Sequence, residues 1–367
     1  MSDRLSLFVR DSSLDPLKPE IKRRVASVID RGAYIQGEEV AAFEQEFASY
    51  LGREHCVGVA NGTDALMIGL IALGVKPGDE VVIPAVTFFA TAEAVAAIGA
   101  RPVFADVEPN TWTLSNRTVE PVLTEATAAI VPVHLFGNPA PMNDLLDLAD
   151  SREIPVLEDA AQAAGAKFDG KMAGAIGAAA SFSFYPGKNL GAIGDAGAFV
   201  TNNAEVADLA RRLRDHGSAD RKIHTEVGFN SRLDSIQAAA LSVFLPELGE
   251  WTQSRRRAAE AYSASGLGDL VRLPVETGQA ESCYHLYVIS SDRREEIVAA
   301  LGDAGIESRV YYAPALPFQP ALKSFAPRHS LPGALEYERT ALALPMGESL
   351  APEDIRRVTL AISSALS

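Results

Sequence analysis

Cysteine is scarce in this sequence: Cys56 and Cys283 are the only two among 367 residues. Two thiols cannot build a disulfide framework or a four-ligand zinc site, and both are expected as small buried hydrophobes. Basic charge is short as well. Lys and Arg number 33 against 48 Asp and Glu, a net charge of −15. Such a chain lacks the general basic face that nucleic acid or an anionic membrane requires, although a local basic pocket for a small phosphorylated ligand stays open. No apolar run reaches membrane-spanning length. The opening MSDRLSLFVRDSSLDP has no signal-peptide stretch, so the default expectation is a cytoplasmic enzyme or binding protein. No G-x-G-x-x-G follows the first strand-like segment, so a dinucleotide-binding fold fits poorly. Repeats and low-complexity tracts are absent, and no metal is expected.

What is present is an α/β alternation. CVGVA (56–60), EVVIP (80–84), RPVFADV, AAIVPVHL (128–135) and IPVLED (154–159) read as near-continuous apolar strands. Helical stretches such as TDALMIGLIALG, FFATAEAVAAIGA and PMNDLLDLADSRE separate them. That pattern predicts a mostly parallel sheet covered by helices on both faces. Right-handed crossovers then bring the C-terminal strand ends to one edge, where ligands bind in such sheets. VADLARRLRD reads as an amphipathic helix, and a long helical region runs from about 232 to 264 with Pro246 breaking it. Beyond it HLYVIS (285–290) and ESRV (307–310) read as strands, with helices near 293–304 and 352–366. The expected division is a large unit over 1–245, N-terminal arm included, and a smaller α+β unit over 246–367.

The strand ends carry a short set of polar residues. Asn61-Gly62-Thr63 opens a helix and reads either as a simple cap or as an anion nest. Phe88 and Phe89 read as core or as the cover of a flat ligand. Glu158 and Asp159 end a buried strand and need partners. Asp159 is either a helix cap or the partner of a protonated heterocyclic nitrogen. SFSFYPGKNLGAIGDAGAFV (181–200) places Ser183 on a strand and Lys188 among glycines. Alone, Lys188 is a solvated charge, a phosphate ligand or a reactive amine. An amine, a carboxylate, a hydroxyl and a phosphate nest together describe a pyridoxal phosphate site.

NGTDAL, GDEVVIPAVTFFATAEA, VPVHLFGNPAPM, LEDAAQAAGA, SFSFYPGKNLGAIGDAGA and GFNSRLDSIQAA follow in order. With these motifs the sequence resembles the DegT/DnrJ/EryC1 family of pyridoxal-phosphate-dependent sugar aminotransferases, of aspartate aminotransferase fold type I. The resemblance implies Lys188 as the Schiff-base lysine and proton carrier, with Asp159 on the pyridine nitrogen. It implies Gln162 on the ring hydroxyl, Phe88 on the ring face, and Gly62, Thr63 and Ser183 on the phosphate. Asn230 would reach the phosphate of a neighbouring subunit's cofactor, which implies a homodimer. Family members that act as sugar dehydratases carry histidine at the lysine position, so Lys188 implies transamination, with pyridoxamine phosphate as the intermediate form of the cofactor. The amine would come from glutamate and go to a nucleotide-linked keto-sugar. DHGSADRKIHTEVGFNSRLD (215–234) resembles the version in enzymes that aminate C3 of nucleotide-linked 3-keto sugars, and implies a dTDP-3-keto-6-deoxyhexose. His216, Lys222, His224 and Arg232 are candidates for its diphosphate, or members of a solvated loop. Tyr185, Tyr311 and Tyr312 are further candidate substrate contacts. VYYAPALPFQ (310–319) departs from the family pattern, with Ala313 in place of a proline and Pro317 in place of a histidine. Three other readings are a UDP-linked 3- or 4-keto sugar substrate, a pyridoxal-phosphate-binding regulator without turnover, and a cyclitol or aminoshikimate-type enzyme.

Overall fold

The computed structural model describes residues 4–367. Seven strands form the central layer: β1 (His55–Val59), β2 (Glu80–Pro84), β3 (Arg101–Ala105), β4 (Thr127–Ile130), β5 (Leu157–Asp159), β6 (Ala179–Ser183) and β7 (Gly197–Thr201). Their spatial order is β1-β7-β6-β5-β4-β2-β3. Ladders run through β1-β7-β6-β5 and through β4-β2-β3, and the parallel bridges Ile130–Val156 and Val133–Asp159 connect the two groups. All strands run parallel except β7, which is antiparallel to both β1 and β6. The expected α/β class and parallel sheet are therefore present, as fold type I requires.

Alternation explains why the phenylalanine-rich motif sits where it does. In β6 and just beyond it, Phe182 and Phe184 are buried on one face and meet Phe47 edge-on, at centroid distances of 4.9 and 5.1 Å. Phe47 belongs to the helix Glu38–Leu51. Edge-to-face packing of this kind adds to the burial energy of the rings. Ser183, between the two phenylalanines, must then face the other way. The helix Gly62–Ala72 covers that opposite face together with Leu157 and Phe199.

The long helical region is split as expected. Ser235–Phe244 and Leu248–Ala264 are helices, and Pro246 lies in the 3-10 turn between them. Further on, β8 (Tyr287–Ser290) pairs antiparallel with β9 (Ala341–Leu344). The helices Arg294–Asp303 and Pro352–Leu366 close a separate apolar cluster with Tyr262, Tyr287, Ile297, Leu342 and Ile362. Leu5 from the N-terminal arm belongs to this cluster too. The expected strand at 307–310 is absent. Glu307 pairs with Leu5 while Arg309 pairs with Ala343, so the segment divides its backbone bonds between two partners and never builds a ladder. Among the described residues no helix is long and apolar enough to cross a membrane.

Candidate functional site

Strand register sets the site. Asp159 lies opposite Ser181 in β6. Two residues on, Ser183 lies opposite Gly197, which in turn faces Val59 at the end of β1. The ends of β1, β5 and β6 therefore share one edge, and the residues singled out after each strand converge there. Asn61 caps the helix Gly62–Ala72, its side chain accepting from Asp64 N–H at 2.8 Å. This leaves the Gly62 and Thr63 N–H groups at the positive end of an eleven-residue helix. Gly62 has to be glycine, because a Cβ there would stand 2.6 Å from Ser183 Cβ. The nest and the serine hydroxyl are thus packed against one another.

Lys188 sits on the connection between β6 and β7. Its N–H donates to Tyr185 O at 2.8 Å, and Ala192 N–H donates to Phe184 O at 2.7 Å, which folds the connection back on itself. At Gly191 a Cβ would meet Pro186 O at 2.5 Å, so the turn is too tight for a side chain there. The lysine is half-buried. Burial lowers its amine from 10.5 to about 8, against the pull of Asp159 in the other direction.

Asp159 is buried, and its Oδ2 accepts from the Thr91 hydroxyl at 2.8 Å while Oδ1 accepts from Ala161 N–H at 3.2 Å. Burial raises its carboxyl above the usual range, and these two bonds and Lys188 only partly oppose this. Beyond Lys188, whose charge only partly offsets burial, a protonated ring nitrogen would give this carboxylate a second positive partner. Gln162 is fixed from both ends: Oε1 accepts from Phe136 N–H at 2.8 Å and Nε2 donates to the Tyr312 hydroxyl at 3.2 Å. Glu158, the neighbouring acid, is a support rather than a ligand. Fully buried, it accepts from the N–H groups of Gly174, Ile176 and Gly177 at 2.8, 2.8 and 2.6 Å. His134 Nε2 lies 2.9 Å away, and its Nδ1 accepts from Ala140 N–H, so the proton is on Nε2. Burial pushes Glu158 up, but His134 and the Gly177 and Gly174 amides outweigh it and hold the carboxyl below its usual value.

Two aromatic rings at the mouth are open. Phe88 is 52% exposed with its ring 5.5 Å from Tyr312, and Tyr185 is 58% exposed. Tyr311 and Tyr312 are half-buried beside them, ring against ring at 5.3 Å. The 215–232 loop forms a second group. Asp215 accepts from Arg232 at 2.7 Å and from Arg221 at 2.9 Å, and Arg232 also donates to Asn230. His224 Nδ1 donates to the carbonyl of His216 at 2.7 Å. His216, Lys222, His224 and Asn230 are exposed. Arg221 also donates to Gln36 at 2.6 Å, and among the described residues no hydrogen bond joins this group to Lys188 or Asp159.

Sequence reasoning missed Thr91 and the His134–Glu158 pair. A threonine within the apolar TFFATAEA, three residues after Phe88, was a visible signal for the first. A buried histidine after an apolar strand was one for the second. The chemistry of the donor set fits pyridoxal phosphate. It offers a glycine-lined anion nest, an under-partnered carboxylate, a depressed lysine amine and an open ring face.

The model of the DegT/DnrJ/EryC1/StrS aminotransferase family matches residues 16–363. A protein of Streptomyces venezuelae described as dTDP-3-amino-3,4,6-trideoxy-alpha-D-glucose transaminase is 41% identical over 96% of this chain and 93% of its own. A Geobacillus stearothermophilus protein described as a pleiotropic regulatory protein is 43% identical over 92% of both. The crystal structure of S. venezuelae DesV in complex with a ketimine intermediate superposes with a TM-score of 0.96 at 39% identity, covering all of both chains.

Proposed function

The chain belongs to the DegT/DnrJ/EryC1/StrS aminotransferase family and is a pyridoxal-phosphate-dependent transaminase, and we propose that it moves an amino group from glutamate to C3 of a dTDP-linked 3-keto-6-deoxyhexose. The observation that carries the reading is the meeting of Lys188, Asp159 and the Gly62–Ser183 nest on one sheet edge. The activity by which the S. venezuelae relative is described supports the sugar and the carbon.

The cofactor, when bound, supplies an electron sink that lets an amino group leave one carbon and join another. The rest falls to the chain. Lys188 is the residue that would hold the cofactor through its Nζ and, when free, would carry a proton on that atom. With its amine near 8, an appreciable fraction is neutral at physiological pH and able to accept one. Asp159, oriented by Thr91 and Ala161, keeps a proton on the ring nitrogen. Gln162, braced by Phe136 and Tyr312, bonds the ring hydroxyl, and Phe88 covers a ring face. The Gly62 and Thr63 amides and the Ser183 hydroxyl hold the phosphate.

The proposed working unit is a cytoplasmic homodimer, with the division near residue 245 separating the cofactor unit from the smaller one. In it Asn230 of each copy reaches the other's phosphate, and His216, Lys222, His224 and Arg232 meet the sugar's diphosphate. Tyr185, Tyr311 and Tyr312 line the sugar. Exposure of Phe88, Tyr185, Ile35 and Ile223 on a single chain supports coverage by a second copy. A regulatory role without turnover is suggested by one relative's description, but Lys188, Asp159 and Gln162 are all in place.

The test is incubation with glutamate and a panel of dTDP- and UDP-linked 3-keto and 4-keto sugars, with products read by mass and NMR. The expected product is a dTDP-3-amino sugar together with 2-oxoglutarate. Amination at C4, of UDP-sugars alone, or of none would overturn the substrate assignment.

A further inference from the structure

The lysine turn is held from behind by a residue of the N-terminal arm. Arg10 is 7% exposed, and its guanidinium donates to the carbonyls of Pro186 at 3.0 Å, Asn189 at 3.3 Å and Lys188 itself. On its other side Arg10 Nε donates to Glu348 Oε1 at 2.8 Å. Glu348 Oε2 accepts in turn from Arg255, at 2.8 and 3.1 Å, and Arg255 is fully buried. Trp251 lies under the guanidinium, 5.7 Å from its centre. The arm reaches this place because it pairs with the C-terminal part of the chain. Leu7 O accepts from Met346 N–H at 2.9 Å and Val9 N–H donates to Met346 O at 3.2 Å. Gly347 makes the approach feasible, since a Cβ there would stand 2.1 Å from Val9 O.

We propose that Arg10 is a positioning residue for Lys188: its planar fork, anchored on Glu348, fixes the Pro186–Asn189 backbone and thereby the direction of the lysine side chain. The inference rests on Lys188 being the cofactor lysine. Three carbonyls and one carboxylate converge on one side chain, a geometry that five fixed N–H donors satisfy and an ammonium does not. Carbonyls of the turn left without donors would relax toward water, and the lysine would move with them. Displacement of a reacting group by about 1 Å costs on the order of 100-fold in rate. Arg10 therefore links the C-terminal segment carrying Glu348 to the chemistry on the sheet edge.

The test compares R10Q and R10K with E307Q. Glu307 ties the same arm, through Arg4 at 2.7 Å and Leu7 N–H at 3.0 Å, without touching the lysine turn. In the holoenzyme, R10Q and R10K are both expected to lower kcat roughly 10- to 100-fold, with KM for the amino donor within about threefold. Amide hydrogen exchange over residues 184–192 should quicken in both. E307Q should keep wild-type kcat and wild-type protection of that peptide, even if its melting temperature falls. The proposal is overturned if R10K restores kcat, if R10Q leaves the peptide's protection unchanged, or if E307Q loses as much kcat as R10Q. K188A keeps the two claims separate: turnover surviving in K188A refutes the lysine assignment, whereas inactive K188A beside fully active R10Q refutes the Arg10 inference alone.

Discussion

Replacing Lys188 by methionine should make the cofactor-free protein more stable at neutral pH. The amine falls from 10.5 to about 8 because burial penalises its charge. Each tenfold change in proton affinity is worth about 1.4 kcal/mol, so the whole fall corresponds to about 3 kcal/mol. Partial access to water brings the expected figure to about 2 to 3 kcal/mol. The sign follows from proton counts. Between about 8 and 10.5 the unfolded chain holds this proton and the folded chain has released it, so wild-type stability climbs with pH through that window. Below the window both states are protonated and the whole penalty is present. Methionine keeps the length of the stem and removes the charge. Urea titrations of both proteins without cofactor should therefore show the K188M advantage shrinking by about 2 kcal/mol between pH 7 and pH 10. Packing differences are the same at both pH values and cancel from this comparison. Curves that run parallel over that interval would refute the claim that burial sets the lysine's basicity.

Glu158→Gln puts an NH2 among donors from Gly174, Ile176, Gly177 and His134, and should cost about 3 kcal/mol by thermal or urea unfolding. The wild-type carboxylate's contribution is complete above pH 4.5 and lost as acid carries the pH through its lowered folded value, so the variant should lose that acid-dependent part of the curve. Gly62→Ala drives a methyl into Ser183 and should weaken pyridoxal phosphate binding at least roughly tenfold in fluorescence titrations, a loss of phosphate contacts worth about 1.4 kcal/mol or more. Asp159→Asn should retain measurable cofactor binding while kcat drops at least roughly 100-fold in steady-state assays, and near-wild-type turnover would remove its assigned role.

Much of the site was legible because its parts lie beside strong local signals. Strand-to-helix transitions after CVGVA and EVVIP, and the apolar run that ends in the acids of IPVLED, announced the sheet edge, and the polar residues there needed no tertiary information to be noticed. What escaped notice depends on distant pairing. Strand β7 is GAFVT, glycine and alanine followed by three residues of strand type, and only pairing on both sides with β1 and β6 makes it a strand. ESRV has the composition of a strand but divides its partners between Leu5 and Ala343. Arg10 lies in an arm with no periodicity, and its partners are 176 to 338 residues away in sequence. Tyr312 was seen only as a sugar contact, because nothing in VYYAPALPFQ says that its hydroxyl braces Gln162.

The seating of the arm against Met346 and Glu348 also fixes an order of events during synthesis. Residues 5–10 leave the ribosome long before Glu348, which is separated from Arg10 by 338 residues. Chains begin to fold N-terminal part first while they are being made. The central sheet can therefore assemble, with the carbonyls of its lysine turn already in place for Arg10, while the arm still lacks Met346 and the Glu348 that anchors the guanidinium. Closure of that long loop is a late step, and a nascent chain gains its fully seated lysine only after the segment carrying Glu348 has been made.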